Sequence, residues 1–210
     1  IVSMSIFSGK KISATGKYKI FPILGTAIMT IGLVLMSTLN EDTSFAILSI
    51  YAVLVGAGLG LSMQTIVIAL QNAVDFQDMG IATSSNTFFR SLGGAFGTAI
   101  FGTILSNRVA YYLQDNFAKL QSSDPAALSD FDSSKLDLIT TNTSIITTLP
   151  PVIQDTVLHS FAQTFQVVFF AAAPITFLGF ILAFFLKEKP LQSSSDHHAA
   201  KAEAAGEAVG

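Results

Sequence analysis

The chain has 210 residues, of which half are apolar and only 12% are charged; its net charge is −3, its mean hydropathy +0.58, and it has no cysteine. Soluble domains of this size carry roughly twice that charged fraction, and the charge is too small to imply a nucleic-acid partner. Without cysteine, disulfides and thiolate metal sites are excluded.

The opening run Ile1-Val2-Ser3-Met4-Ser5-Ile6-Phe7 is apolar but lacks the basic region and small-residue cleavage site of a signal peptide. It reads as the tail of a helix begun elsewhere, so the chain is expected to be a fragment. A membrane-crossing helix needs about 20 mostly apolar residues, and four stretches qualify: 20–38, 44–71, 80–105 and 161–186. Helices of a soluble bundle show a polar face, whereas Ile20-Phe21-Pro22-Ile23-Leu24 and Phe177-Leu178-Gly179-Phe180-Ile181-Leu182 are apolar all round. The expected fold is an all-α membrane protein with four complete spans and a partial N-terminal one.

Lys10, Lys11, Lys17 and Lys19 before the first span contain no acid among them, which places that flank in the cytoplasm. The turn Asn40-Glu41-Asp42-Thr43 then lies outside, 72–79 returns inside despite Asp75 and Asp78, and 106–160 is extracytoplasmic. The tail from Lys187 is inside.

The extracytoplasmic segment is too long for a plain connection. Val109, Leu113, Phe117 and Leu120 share one helical face, so the third span should continue outward as an amphipathic helix until Asp124-Pro125 breaks it. The Thr- and Ile-rich run 140–148 favours extended structure, and Pro150-Pro151 should start a helix leading into the last span. Together these predict a small ordered cap. Residues 191–210, rich in Ser, Ala and Glu, cannot bury a core and are expected to be a disordered cytoplasmic tail.

Arg90 is the sharpest chemical feature. A charge at that depth costs at least about 2.5–3.5 kcal/mol, so it must face protein or water and find acceptors; a helix lock and a pathway role are both open. No Asp or Glu lies within the four spans, which puts any intramembrane acid partner outside this sequence. Asn86, Arg90, Gly93 and Gly97 follow helical spacing on the third span; Ser49, Gly56, Gly60, Gln64 and Gln71 do so on the second. Gln64, Gln71 and Asn86 are candidates for lining a path or bonding across helices. Gly56, Gly60, Gly93 and Gly97 are expected to be packing positions where backbones approach closely, with Gly93 and Gly97 facing another helix. Lys10, Lys11 and Lys17 are expected to pair with Asp75 and Asp78 as a cytoplasmic gate. His159 reads as incidental, His197-His198 as no metal site, and Asn142-Thr143-Ser144 matches a glycosylation acceptor that matters only in a eukaryote. No catalytic set or metal-ligand spacing occurs, so no enzyme is indicated.

Taken together, some segments are familiar. Gly9-Lys10-Lys11-Ile12-Ser13-Ala14-Thr15-Gly16-Lys17-Tyr18-Lys19 resembles a degenerate copy of the cytoplasmic loop motif of the major facilitator superfamily. Gly58-Leu59-Gly60-Leu61-Ser62-Met63-Gln64, Ala69 to Val74, Gly80 to Ser85, Phe88 to Gly97 and the close Phe184 to Leu191 resemble its fourteen-helix drug:proton antiporters. The resemblance runs from residue 1 to about 191. It implies a C-terminal bundle fragment, alternating access, proton-driven export of small amphipathic compounds, no cofactor, and a multi-pass location in the plasma membrane with the C-terminus cytoplasmic. It also implies the lipid bilayer and an N-terminal half of the same protein as partners. Ser13 and Ala14 stand where the loop motif has its acid and Arg, so a charge lock there would have to use the lysines. A sensor or scaffold on the same bundle, or a transporter of another cargo, is the alternative.

Overall fold

The computed structural model describes residues 1–125 and 143–190. Among these, five α-helices occur and no strand: α1 (Val2–Thr15), α2 (Ile20–Met36), α3 (Phe45–Gln71), α4 (Met79–Ser123) and α5 (Pro151–Phe184), with 3-10 turns at Phe76–Asp78 and Thr143–Thr148. The sequence therefore folds as the all-α membrane protein it was expected to be. By length and composition three helices can cross a bilayer, namely α3, α5 and α4 with its preceding turn, while α2 is a shorter apolar helix of 17 residues. At 1.5 Å per residue α2 is about 26 Å long, just under a bilayer core of about 30 Å. It stops short of the expected residue 38 because Ser37 and Thr38 turn their hydroxyls back on the Val34 and Leu35 carbonyls, tightening the last turn.

Local chemistry sets most other boundaries. α1 ends at Gly16, whose φ of 70° is left-handed and whose N–H bonds Ile12 O at 2.8 Å, a cap that glycine adopts at no steric cost. α4 runs unbroken for 45 residues, about 68 Å, and stops at Ser123 ahead of Asp124-Pro125. α5 starts at Pro151, as Pro150-Pro151 predicts, with Gln154 N–H donating to Pro150 O. The run 140–148 is a correction: its described part, Thr143–Thr148, is a 3-10 helix rather than extended. Ile146 is buried there in an apolar cluster, and that tertiary packing outweighs local β preference. Thr140 to Asn142, with the glycosylation pattern's acceptor, and the tail 191–210 lie outside the described residues.

The chain divides into two compact units. One comprises 1–30, 54–92 and the chain from 176. Its core holds Ile12, Tyr18, Phe21, Leu61 and Ala69. Here α2 and α3 cross backbone to backbone: a Cβ placed on Gly25 would meet Ser62 Oγ and lie 2.6 Å from Gly58 O, and one on Gly58 would lie 2.7 Å from Met29 N. α1 joins them through Ser5 Oγ, which donates to Gly60 O at 3.0 Å.

The other unit comprises 31–53 and 93–175. Val109, Leu113 and Phe117, on the face the sequence periodicity picked out, pack with Ile146, Ile153 and Val157. Buried Asn116 donates to Ser160 Oγ (2.9 Å) and Gln163 Oε1 (3.0 Å), fastening the C-terminal part of α4 to α5. No buried side-chain polar atom lacks a hydrogen bond among the described residues. The described parts of the segment expected to form a cap thus pack on one another.

Candidate functional site

The candidate polar residues gather on the N-terminal half of α4 and the end of α3. Gln71 lines an open cleft of about 700 Å3 with Phe76, Met79, Thr83, Ser84 and Thr87. The Ser84 and Thr87 hydroxyls donate to the Ile81 and Thr83 carbonyls within the helix, which satisfies their protons. Asn86 is half-buried and Arg90, one turn on, is exposed. The most apolar stretch of α4 buries none of its residues, so Phe88, Phe89, Phe96 and Ile100 stand exposed along it. The apolar stretch of α4 thus presents a long open surface on which Arg90 stands, with Arg108 lying beyond it toward the C-terminal end.

Several expectations are corrected here. Arg90 meets none of the acceptors its depth calls for among the described residues: its side chain and that of Gln64 are both exposed, and no hydrogen bond joins them. Gly93 and Gly97 face no other helix among the described residues, since a Cβ on either would meet nothing within 4 Å. The reason is common to both: a stripe of small residues specifies a surface for close approach but not its occupant. Of the other packing glycines, Gly60 lies against the Ile1 backbone, with Met4 Cβ 3.0 Å from where its Cβ would be, and Gly56 makes ordinary contact with Ile1 at 3.6 Å. The gate pairing is not formed either. Lys10, Lys11, Lys17, Asp75 and Asp78 are all exposed, and the ion pairs among the described residues are Lys119–Asp115 and His159–Glu41.

Sequence reasoning missed a clasp at the end of α5. Tyr18, only 1% exposed, donates its N–H to Glu188 Oε1 (3.1 Å) and its hydroxyl proton to Lys187 O (3.2 Å), and accepts from Lys189 N–H (2.9 Å). Asn72 Nδ2 donates to Lys189 O (3.1 Å) and Pro190 O (3.0 Å). The segment Lys187–Pro190 is thereby held against the α1–α2 connection and the end of α3. Its sole local signal is an amphipathic Tyr between two lysines.

His159 is also not incidental: its Nδ1 meets Glu41 Oε1 at 2.8 Å and Oε2 at 2.9 Å, while Gln166 Nε2 donates to Leu39 O and Asn40 Oδ1, so α5 grips the α2–α3 turn twice. Glu41's carboxyl is lowered from its ordinary value, chiefly by a hydrogen bond from its own backbone and further by His159, with burial opposing. A depressed carboxylate contributes stability above its unfolded pKa of about 4.3 and loses it as pH falls through the lower folded value. Between about pH 6 and about pH 3, wild-type Tm should fall more than that of Glu41→Gln. The difference should be worth under about 1 kcal/mol, because the pair is partly exposed. Parallel Tm profiles would show that the pair contributes nothing.

Three helices long and apolar enough to cross a bilayer mark an integral membrane protein. The chain is 36% identical over 189 residues to an uncharacterized MFS-type transporter of Mycobacterium tuberculosis, matching 90% of this chain and 26% of the relative. It is 35% identical over 120 residues to the multidrug transporter protein MdtP of Bacillus subtilis, 57% of this chain and 22% of the relative. It is 24% identical over 201 residues to a tetracycline resistance determinant of Streptomyces rimosus, 89% of this chain and 58% of the relative. The chain belongs to the major facilitator superfamily, and it spans about a quarter of the length of the first two relatives. No family model matches the chain. No solved structure matches it.

Proposed function

We propose that the chain forms part of the C-terminal bundle of a secondary transporter, of the drug:proton antiporter type, that exports small amphipathic compounds by alternating access. The observation that carries this is the α4 face: Arg90 stands on a span-length helix left open along its apolar stretch, beside a cleft lined by Gln71, Thr83, Ser84 and Thr87. A charge at membrane depth is tolerated only beside water or protein partners, so this face lines a pathway or meets a carboxylate from the rest of the polypeptide. The relatives' names, a multidrug transporter and a tetracycline resistance determinant, support export as its direction.

In this reading the protein sits in the plasma membrane with the end of α5 cytoplasmic, works with the proton gradient rather than a cofactor, and is not an enzyme. Arg90 cannot carry the proton, because its guanidinium does not titrate. It lowers the pKa of an acid near it. The test is a panel of amphipathic compounds in an efflux-deficient host expressing the full-length transporter. Accumulation should fall for a subset of the panel and recover when a protonophore is added. Unchanged accumulation of every compound, in cells and in energised vesicles, would refute export.

A further inference from the structure

The clasp at the end of α5 brings two basic pairs together from opposite ends of the sequence. Lys17 and Lys19 flank Tyr18, Lys187 and Lys189 flank Glu188, and the Tyr18 bonds to Lys187 O, Glu188 Oε1 and Lys189 N place both pairs around one buried ring. Glu188 offsets only one of these four charges: one of its oxygens accepts the Tyr18 N–H, and no ion pair among the described residues includes any of the four lysines. Lys189's ammonium is directed to Ala73 O at 3.3 Å. Lys17, Lys19 and Lys187 are left as the outward charges of the patch.

Apolar side chains adjoin it. Ile20, next to Lys19, is 55% exposed, and Phe184 and Phe185, just before Lys187, are 51% and 79% exposed. Ile20 opens one apolar helix and Phe184 closes another, so cationic groups and exposed apolar surface meet where helices leave the hydrocarbon. A free anion would use the lysines alone; a lipid uses both parts. We infer that the Tyr18 clasp builds a binding patch for an anionic phospholipid, with its headgroup phosphate on Lys17, Lys19 and Lys187 and its chains along Ile20, Phe184 and Phe185.

The inference depends on membrane insertion and not on transport. The full-length transporter is reconstituted with mixed phosphatidylglycerol and phosphatidylcholine, and the lipid retained after mild detergent extraction is counted by native mass spectrometry. Wild type should retain phosphatidylglycerol in preference, and the preference should shrink as salt is raised. Each lysine removed should lower it about fivefold, so Lys17→Gln/Lys19→Gln/Lys187→Gln should abolish it, while Lys119→Gln, a lysine outside the clasp and paired with Asp115, should not change it. Tyr18→Phe keeps every charge but loses the hydroxyl's two bonds, and should give an intermediate loss that scattered surface charge would not show. Equal retention of the two lipids by wild type, an unchanged preference in the triple variant, or displacement of the lipid by glycerol phosphate would overturn the proposal. Transport in pure phosphatidylcholine vesicles reports separately whether each variant still exports.

Discussion

Arg90→Ala should abolish the proposed export while leaving the protein inserted and folded, the result expected if the guanidinium serves the pathway and not the packing of this bundle. Nothing in the described structure rests on it: the residue is exposed, as are its neighbours Phe89 and Ser91. Its removal should therefore leave Tm nearly unchanged, as for most surface substitutions. The loss should appear in transport alone, at least tenfold, because an acid deprived of a nearby cation binds its proton more tightly and exchanges it at the wrong pH. Arg90→Lys should recover part of the rate with an altered pH profile, since an ammonium supplies charge but not the planar fork. Full transport by Arg90→Ala would remove the residue from the mechanism, and a large fall in Tm would make it a structural lock instead.

Gly25→Ala should be the most damaging single-methyl change in the α2–α3 crossing. The added Cβ runs into Ser62 Oγ and Gly58 O, the second a backbone atom that cannot swing aside. Overpacking of this kind costs about 1–3 kcal/mol, and the reciprocal change Gly58→Ala meets Met29 N and the Gly25 carbonyl with the same result. Both variants should show lower Tm and yield in detergent, whereas Gly80→Ala, whose Cβ meets nothing within 4 Å, should behave as wild type. If Gly25→Ala and Gly80→Ala melt together, the close approach of α2 and α3 is not what holds this unit.

What could be read in advance follows from how local each feature is. The helices were legible because long apolar runs and the Val109–Leu113–Phe117 spacing are properties of neighbouring residues. The turn around Ile146 was misread because Thr and Ile favour strands when nothing else intervenes, and burial against α4 and α5 intervened. The α2 glycine at the tightest crossing went unnoticed, since Gly25 has no small-residue repeat around it to announce a crossing. The Tyr18–Glu188 contact joins residues 170 positions apart, and no periodicity spans that distance. Arg90 was conspicuous for the opposite reason: its cost comes from its own depth, whatever surrounds it. Its expected contacts failed because a residue's need for a partner does not say which chain segment meets it.

The unbroken length of α4 has a mechanical consequence. A helix of 45 residues without an internal proline lacks the commonest cause of a kink and acts locally as a stiff rod. Asn116 and the Val109, Leu113 and Phe117 side chains clamp that rod to α5 along its C-terminal part. The part of α4 held in this way would therefore tilt together with the adjoining part of α5 rather than slide past it.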